Sequence, residues 1–130
     1  MLNFVTKNKT RKVSTKEVAI RLNLSGAHAS GEKRHNVAFR FYDGCHKKIC
    51  ADSEYMVYAV DELSNRIYFK EANAIEGYKV GNICNSAMSS KTVCVAVNNT
   101  DFWNNCVGDY NLLYDRNEKL YYIDYSKKVR

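Results

Sequence analysis

Residues 37–72 read VAFRFYDGCHKKICADSEYMVYAVDELSNRIYFKEA, and residues 93–128 read VCVAVNNTDFWNNCVGDYNLLYDRNEKLYYIDYSKK. Both stretches open on alternation. Val37, Phe39 and Phe41 share one side of a strand in the first, as do Val93, Val95 and Val97 in the second. Arg40 falls on the opposite side, toward solvent. Asp43-Gly44 is a turn signal with room for a helical turn after it. In the second stretch Asn99 or Thr100 can cap a short helix within 98–109, with Asp101 in its first turn. Each stretch then gives an apolar strand, a polar turn and a return strand. The first hairpin spans 55–69, turning through DELSNR. The second pairs YNLLY (110–114) with LYYIDY (120–125) around DRNEK. Cys50 matches Cys106, Asp61 matches Asp115 and Ile67 matches Leu120, so the chain repeats itself at an offset drifting from 56 to 53 residues. Two copies are too few for a solenoid. The expectation is a mainly β fold with short helices (α+β), in which two tandem units close one pseudo-two-fold compact domain.

Working outward, EVAIRLNL (17–24) is a further alternating strand, and SGAHASGEKRHN (25–36) reads as a glycine-containing flexible connection. Residues 1–130 are expected to form a single domain. It comprises a basic arm at 1–16, a first half at 17–72, a connector at 73–92 with strand character at Tyr78–Val80, and the second unit at 93–128. Most of the ten tyrosines fall on strands, where aromatic side chains pair across a sheet. Trp103 beside Phe102 is expected to anchor the second helix on the sheet.

Composition narrows the function classes. Of 130 residues, 45% are hydrophobic and 26% charged, a globular balance. No apolar run approaches the roughly 20 residues of a membrane span. The start, MLNFVTKNKTRK, lacks the apolar segment of a secretory signal, so the expected setting is a cytoplasm with its five cysteines reduced. Charge is unevenly placed. Residues 1–48 carry 11 Lys/Arg and 3 acids, whereas 49–130 carry 9 and 11, splitting the net +6 into +8 and −2. Such asymmetry favours a polyanionic partner, nucleic acid first, because phosphate contacts dominate its affinity. The candidate phosphate-binding residues are Lys7, Lys9, Arg11 and Lys12 on the arm, with Lys33, Arg34, Arg40, Lys47 and Lys48 as the second part of the patch.

Catalytic chemistry finds little footing. Cys45-His46 and Cys50 have the spacing C-H-x3-C with no second compact cluster, short of a zinc pattern. No third group orients a Cys-His nucleophile pair. Neither G-x-x-x-x-G-K-[ST] nor G-x-G-x-x-G occurs. Asp61, Asp101, Asp109 and Asp115 sit at turns or caps, which turn chemistry explains. A non-enzymatic protein with no cofactor and no metal is expected.

The order strand, helical turn, Gly-Asp, apolar strand, Asp-containing turn and return strand resembles the AbrB-type swapped-hairpin family. The resemblance rests on Val107-Gly108-Asp109-Tyr110, less closely on Asp52-Ser53-Glu54-Tyr55, and on the turn acids Asp61 and Asp115. It implies interlocked hairpins and DNA binding by a basic surface, as in a bacterial or phage regulator, either monomeric or homodimeric. The chain also resembles small uncharacterised phage and mobile-element proteins. That likeness implies a second function, an anti-defence inhibitor such as an anti-CRISPR, binding a host defence protein or a signalling nucleotide.

Overall fold

The computed structural model describes residues 16–27, 33–82 and 90–129. Within them the order is β1 (Val18–Ala27), β2 (Lys33–Phe41), α1 (His46–Ile49), β3 (Tyr55–Asp61), β4 (Arg66–Ala72), β5 (Tyr78–Lys79), β6 (Gly81–Asn82), β7 (Lys91–Val97), α2 (Thr100–Cys106), β8 (Gly108–Tyr110), β9 (Leu113–Asp115) and β10 (Leu120–Asp124). The strands form two five-stranded sheets. The first has the order β6-β7-β2-β1-β8 and the second β5-β3-β4-β10-β9, with antiparallel neighbours throughout. The mainly β expectation with short helices is therefore the observed architecture.

The alternating residues face the other sheet. Val18, Ile20, Val37, Phe39, Phe41, Val93 and Val95 of the first sheet are buried in one cluster with Met56, Ile67, Phe69 and Ile123 of the second. Aromatic edges lock the two layers together. Phe39 meets Phe69 edge-on at 5.3 Å between ring centroids and Trp103 at 5.8 Å, and Phe41 meets the same Phe69 at 5.3 Å. Such edge-to-face pairs add to the area they bury. Trp103, 5% exposed, anchors α2 on the core.

Both hairpin turns behave as their acids dictate. Asp61 Oδ1 accepts from Leu63 N at 3.1 Å, and Asp115 Oδ1 accepts from Asn117 N at 2.9 Å. Each turn leaves through a left-handed residue, Asn65 and Lys119, both at φ 59°. These turns coincide at an offset of 54, so Ile67 corresponds to Tyr121 rather than to Leu120. Asp43 and Gly44 take positive φ at the turn into α1, and Asn99 caps α2 by accepting from Phe102 N at 3.2 Å.

Three expectations change. First, the stretch 25–36 is not simply a connection, because β1 runs to Ala27 and β2 begins at Lys33. The ladder continues as Asn23↔Asn36, Leu24↔His35 and Ala27↔Lys33, with an irregularity between Leu24 and Ala27. Main-chain pairing is indifferent to side-chain polarity, so it outruns the alternation that marks it. Second, YNLLY is not one strand. Tyr110 ends β8, which pairs with β1 in the first sheet, and Leu113 starts β9 in the second. The chain changes sheets at Asn111-Leu112, where Leu112 N donates to Glu17 Oε1 at 3.0 Å and Glu17 N donates to Tyr110 O at 3.0 Å. Third, besides the strand expected at Tyr78–Val80, which is β5, the connector contributes β6, and both are short edge strands.

The units contact each other through β2 with β7 and through β4 with β10, both antiparallel. They differ after their helices, where β3 continues unbroken as the counterpart of β8 and β9. Because α1 follows β2 at Phe41 and α2 follows β7 at Val97, and these strands are antiparallel, the helices lie at opposite ends of the first sheet.

Phe39→Ala should cost about 3–5 kcal/mol, since it removes a buried ring that contacts both layers. Urea unfolding followed by the emission of Trp103 measures this, and a loss under about 1 kcal/mol would contradict the packing.

Candidate functional site

By strand alternation the outer face of the first sheet carries Ala19 and Arg21 on β1, Ala38 and Arg40 on β2, and Thr92 and Cys94 on β7. Each alanine stands opposite an arginine, Ala19 against Arg40 and Ala38 against Arg21. Arg21 reaches sideways across β8, donating to Asp109 Oδ1 at 2.9 Å and to Gly108 O at 3.2 Å. Lys16 Nζ lies 3.9 Å from the same carboxylate and 5.0 Å above the ring of Tyr42.

Arg40 does not stand free in solvent as alternation alone predicts. Its Nε is buried, as is Oγ1 of Thr92, its neighbour across the ladder, and neither has a hydrogen-bond partner among the described residues. Unsatisfied buried donors carry a desolvation cost, and here two stand side by side on a basic face.

At the α1 end of this face Glu17 ties three elements. Its main chain bonds Tyr110 and Tyr42, its Oε1 takes Leu112 N, and its Oε2 faces Lys48 Nζ at 3.4 Å and accepts from Cys45 Sγ at 3.6 Å. A cleft of about 350 Å³ opens beside it, lined by Lys16, Glu17, Tyr42, Asp43, Gly44, Cys45 and Lys48. Burial, reinforced by Glu17, pushes the Cys45 thiol up to about 11, and burial does the same for Cys50. Both therefore stay protonated at neutral pH, opposite to what a nucleophile needs. His46 is held below its ordinary value by burial and then by Lys91 and Lys47, so it is neutral at pH 7. Its Nδ1 is buried without a partner among the described residues.

Of the sequence candidates, Arg40, Lys47 and Lys48 gather at this end, with Lys47 and Lys48 exposed on α1. Lys7, Lys9, Arg11 and Lys12 lie outside the described residues. Of Lys33 and Arg34 only the main chain is described, and it belongs to β2. Lys16, Arg21 and Lys91 join the set. The alternation of β1 was enough to place Arg21, but the contacts of Lys16 and Lys91 depend on pairing between distant strands.

A second polar cluster lies on the outer face of the second sheet. Arg66 donates to Asp115 Oδ2 at 3.0 Å and to Tyr68 Oη at 3.1 Å, while its guanidinium lies 4.2 Å from the ring centre of Tyr122. The Tyr68 hydroxyl donates to Asp115 Oδ2 at 2.8 Å. Asp115 thus does more than head a turn, a role visible only once β4 is known to pair with β10. These bonds from Tyr68 and from the turn amides, with Arg66 beside them, hold the Asp115 carboxyl below its usual value.

No protein-family model, characterised protein or solved structure matches the chain. Among the described residues no helix is long and apolar enough to cross a membrane.

Two measurements check this geometry. The depressed Asp115 stabilises the fold while ionised, and that contribution is lost as pH falls through its folded-state value. Asp115→Asn should therefore be less stable than the parent at pH 7, and the gap should narrow below about pH 4. A gap independent of pH in urea titrations would contradict the ionic role. Cys94 is exposed whereas Cys45, Cys50 and Cys106 are buried. Under native conditions iodoacetamide should modify Cys94 and leave those three until urea is added, as read by peptide mass spectrometry.

Proposed function

We propose that the chain is a non-enzymatic nucleic-acid-binding protein that grips phosphates with the α1 end of its first sheet, acting in the cytoplasm of a bacterial host. The observation that carries this reading is the local imbalance of charge. On the first sheet and α1, Lys16, Arg21, Arg40, Lys47, Lys48 and Lys91 stand with Glu17, Asp43 and Asp109, an excess of cations on this part of the molecule, while Asp52 and Glu71 lie just past α1. Lys47 and Lys48, exposed on α1, are the cations best placed to reach phosphate oxygens.

The resemblance to AbrB-type swapped hairpins supports the same reading, and the matched turns at Asp61 and Asp115 are in keeping with it. On this view two units within one chain take the place of two subunits. The absence of catalysis is part of the proposal, supported by thiols driven away from their reactive form.

The test is fluorescence anisotropy with a labelled random duplex across a salt series. Binding should weaken steeply with salt, with a slope of about −0.9 per phosphate neutralised. The double variant Lys47→Ala/Lys48→Ala should flatten that slope by roughly one to two phosphate equivalents. No binding at low salt, or an unaltered slope in the variant, would remove this function from the α1 end.

A further inference from the structure

The opposite end of the molecule has the reverse chemistry. Between β3 and α2 lies a groove of about 500 Å³ with Tyr58 and Phe102 on its walls and the buried Trp103 at its base. Asp61 and Glu62, both exposed, stand at its rim. No Lys or Arg lines it, although the chain carries 20 of them. Aromatic faces next to carboxylates attract an organic cation twice, through the ring quadrupole and through charge.

A second observation concerns the main chain. Among the described residues β3 has a partner on the side away from β4 only at Tyr55 and Met56, where β5 lies. From Val57 to Asp61 no strand of the described residues lies on that side. Val80 N donates to Glu54 O at 2.7 Å on this side. The N–H and C=O groups of a strand alternate between its two sides, so those of Tyr58 and Val60 point the same way, over the groove. An unpaired edge of this kind is a template for an added strand.

We propose that this edge binds an extended basic segment of a partner protein as an additional strand, with a lysine or arginine of that segment lodged over Tyr58 and Phe102 against Asp61 and Glu62. Main-chain bonds to Tyr58 and Val60 supply the register, and the groove supplies the preference for a cation. Charge complementarity selects this occupant over a second copy of the same edge. Tyr55–Asp61 contains no Lys or Arg, so self-pairing would bring another acidic strand to an acidic groove. The proposal uses the α2 end and stands apart from the nucleic-acid reading of the α1 end.

The probe is a capped peptide of about nine residues alternating valine with lysine, long enough for one strand. It is titrated into the full chain while the emission of its single tryptophan, Trp103, is followed. Saturable binding with Kd below about 1 mM is expected. A peptide with glutamate for lysine should bind roughly tenfold more weakly or not at all. A peptide of the same charge with a central proline, which cannot donate to the edge, should also lose roughly tenfold. Asp61→Asn/Glu62→Gln, two exposed substitutions that leave the core intact, should weaken the lysine peptide by a similar factor. The proposal is overturned if the lysine peptide does not bind. It is equally overturned if the glutamate or proline peptide binds as well, or if the double variant keeps full affinity.

Discussion

The edge-on contact of Phe39 with Phe69 is the constraint on which the rest of the structure rests. It joins β2, the middle strand of the first sheet, to β4, the middle strand of the second, and Trp103 closes on the same ring from α2. The outward-facing residues inherit their positions from it. With Phe39 and Phe41 committed to the interlayer space, Arg40 must lie on the other face beside Thr92. With Phe69 inward, Tyr68 must face outward, where it meets Asp115 and Tyr122. Both polar clusters are thus set by the register of apolar side chains that never touch them.

Charge is sorted on this frame by position along the strands. The helices occupy opposite ends of the first sheet. The cleft beside α1 mixes Lys16 and Lys48 with Glu17 and Asp43, whereas the groove beside α2 sets Asp61 and Glu62 against aromatic rings with no cation in its lining. The net charge of +6 conceals this polarity. The two ends therefore differ in the charge and aromatic character they present to solvent.

Much of this was legible in the sequence because short-range chemistry dictates it. The alternation at Val37, Phe39 and Phe41 places the core side of β2. Asp-Gly marks the turn before α1, Asn99 marks the start of α2, and the two turn acids mark the hairpins. What could not be read depends on pairs distant along the chain. Nothing local in YNLLY announces the change of sheet at Asn111-Leu112, which is fixed by Glu17, 95 residues away from Leu112. The polar run 25–36 conceals a ladder because main-chain hydrogen bonds leave no imprint on side-chain character. Alternation puts Arg40 on the correct face, but the burial of its Nε leaves no mark on the local sequence. The groove between β3 and α2 has no local signature because its aromatic and acidic members come from both units.

Neither unit owns a sheet. The first sheet interleaves β1 and β2 with β6, β7 and β8, and the second joins β3 and β4 to β9 and β10. During synthesis the N-terminal hairpins leave the ribosome with one long edge each still unfilled. β4 must wait for β10, the last strand of the described residues, before its second side is paired. The core therefore closes late and nearly at once, and until then two apolar strand edges rely on chaperones or speed to avoid foreign pairing. A fold so interlaced links the survival of each half to the presence of the other.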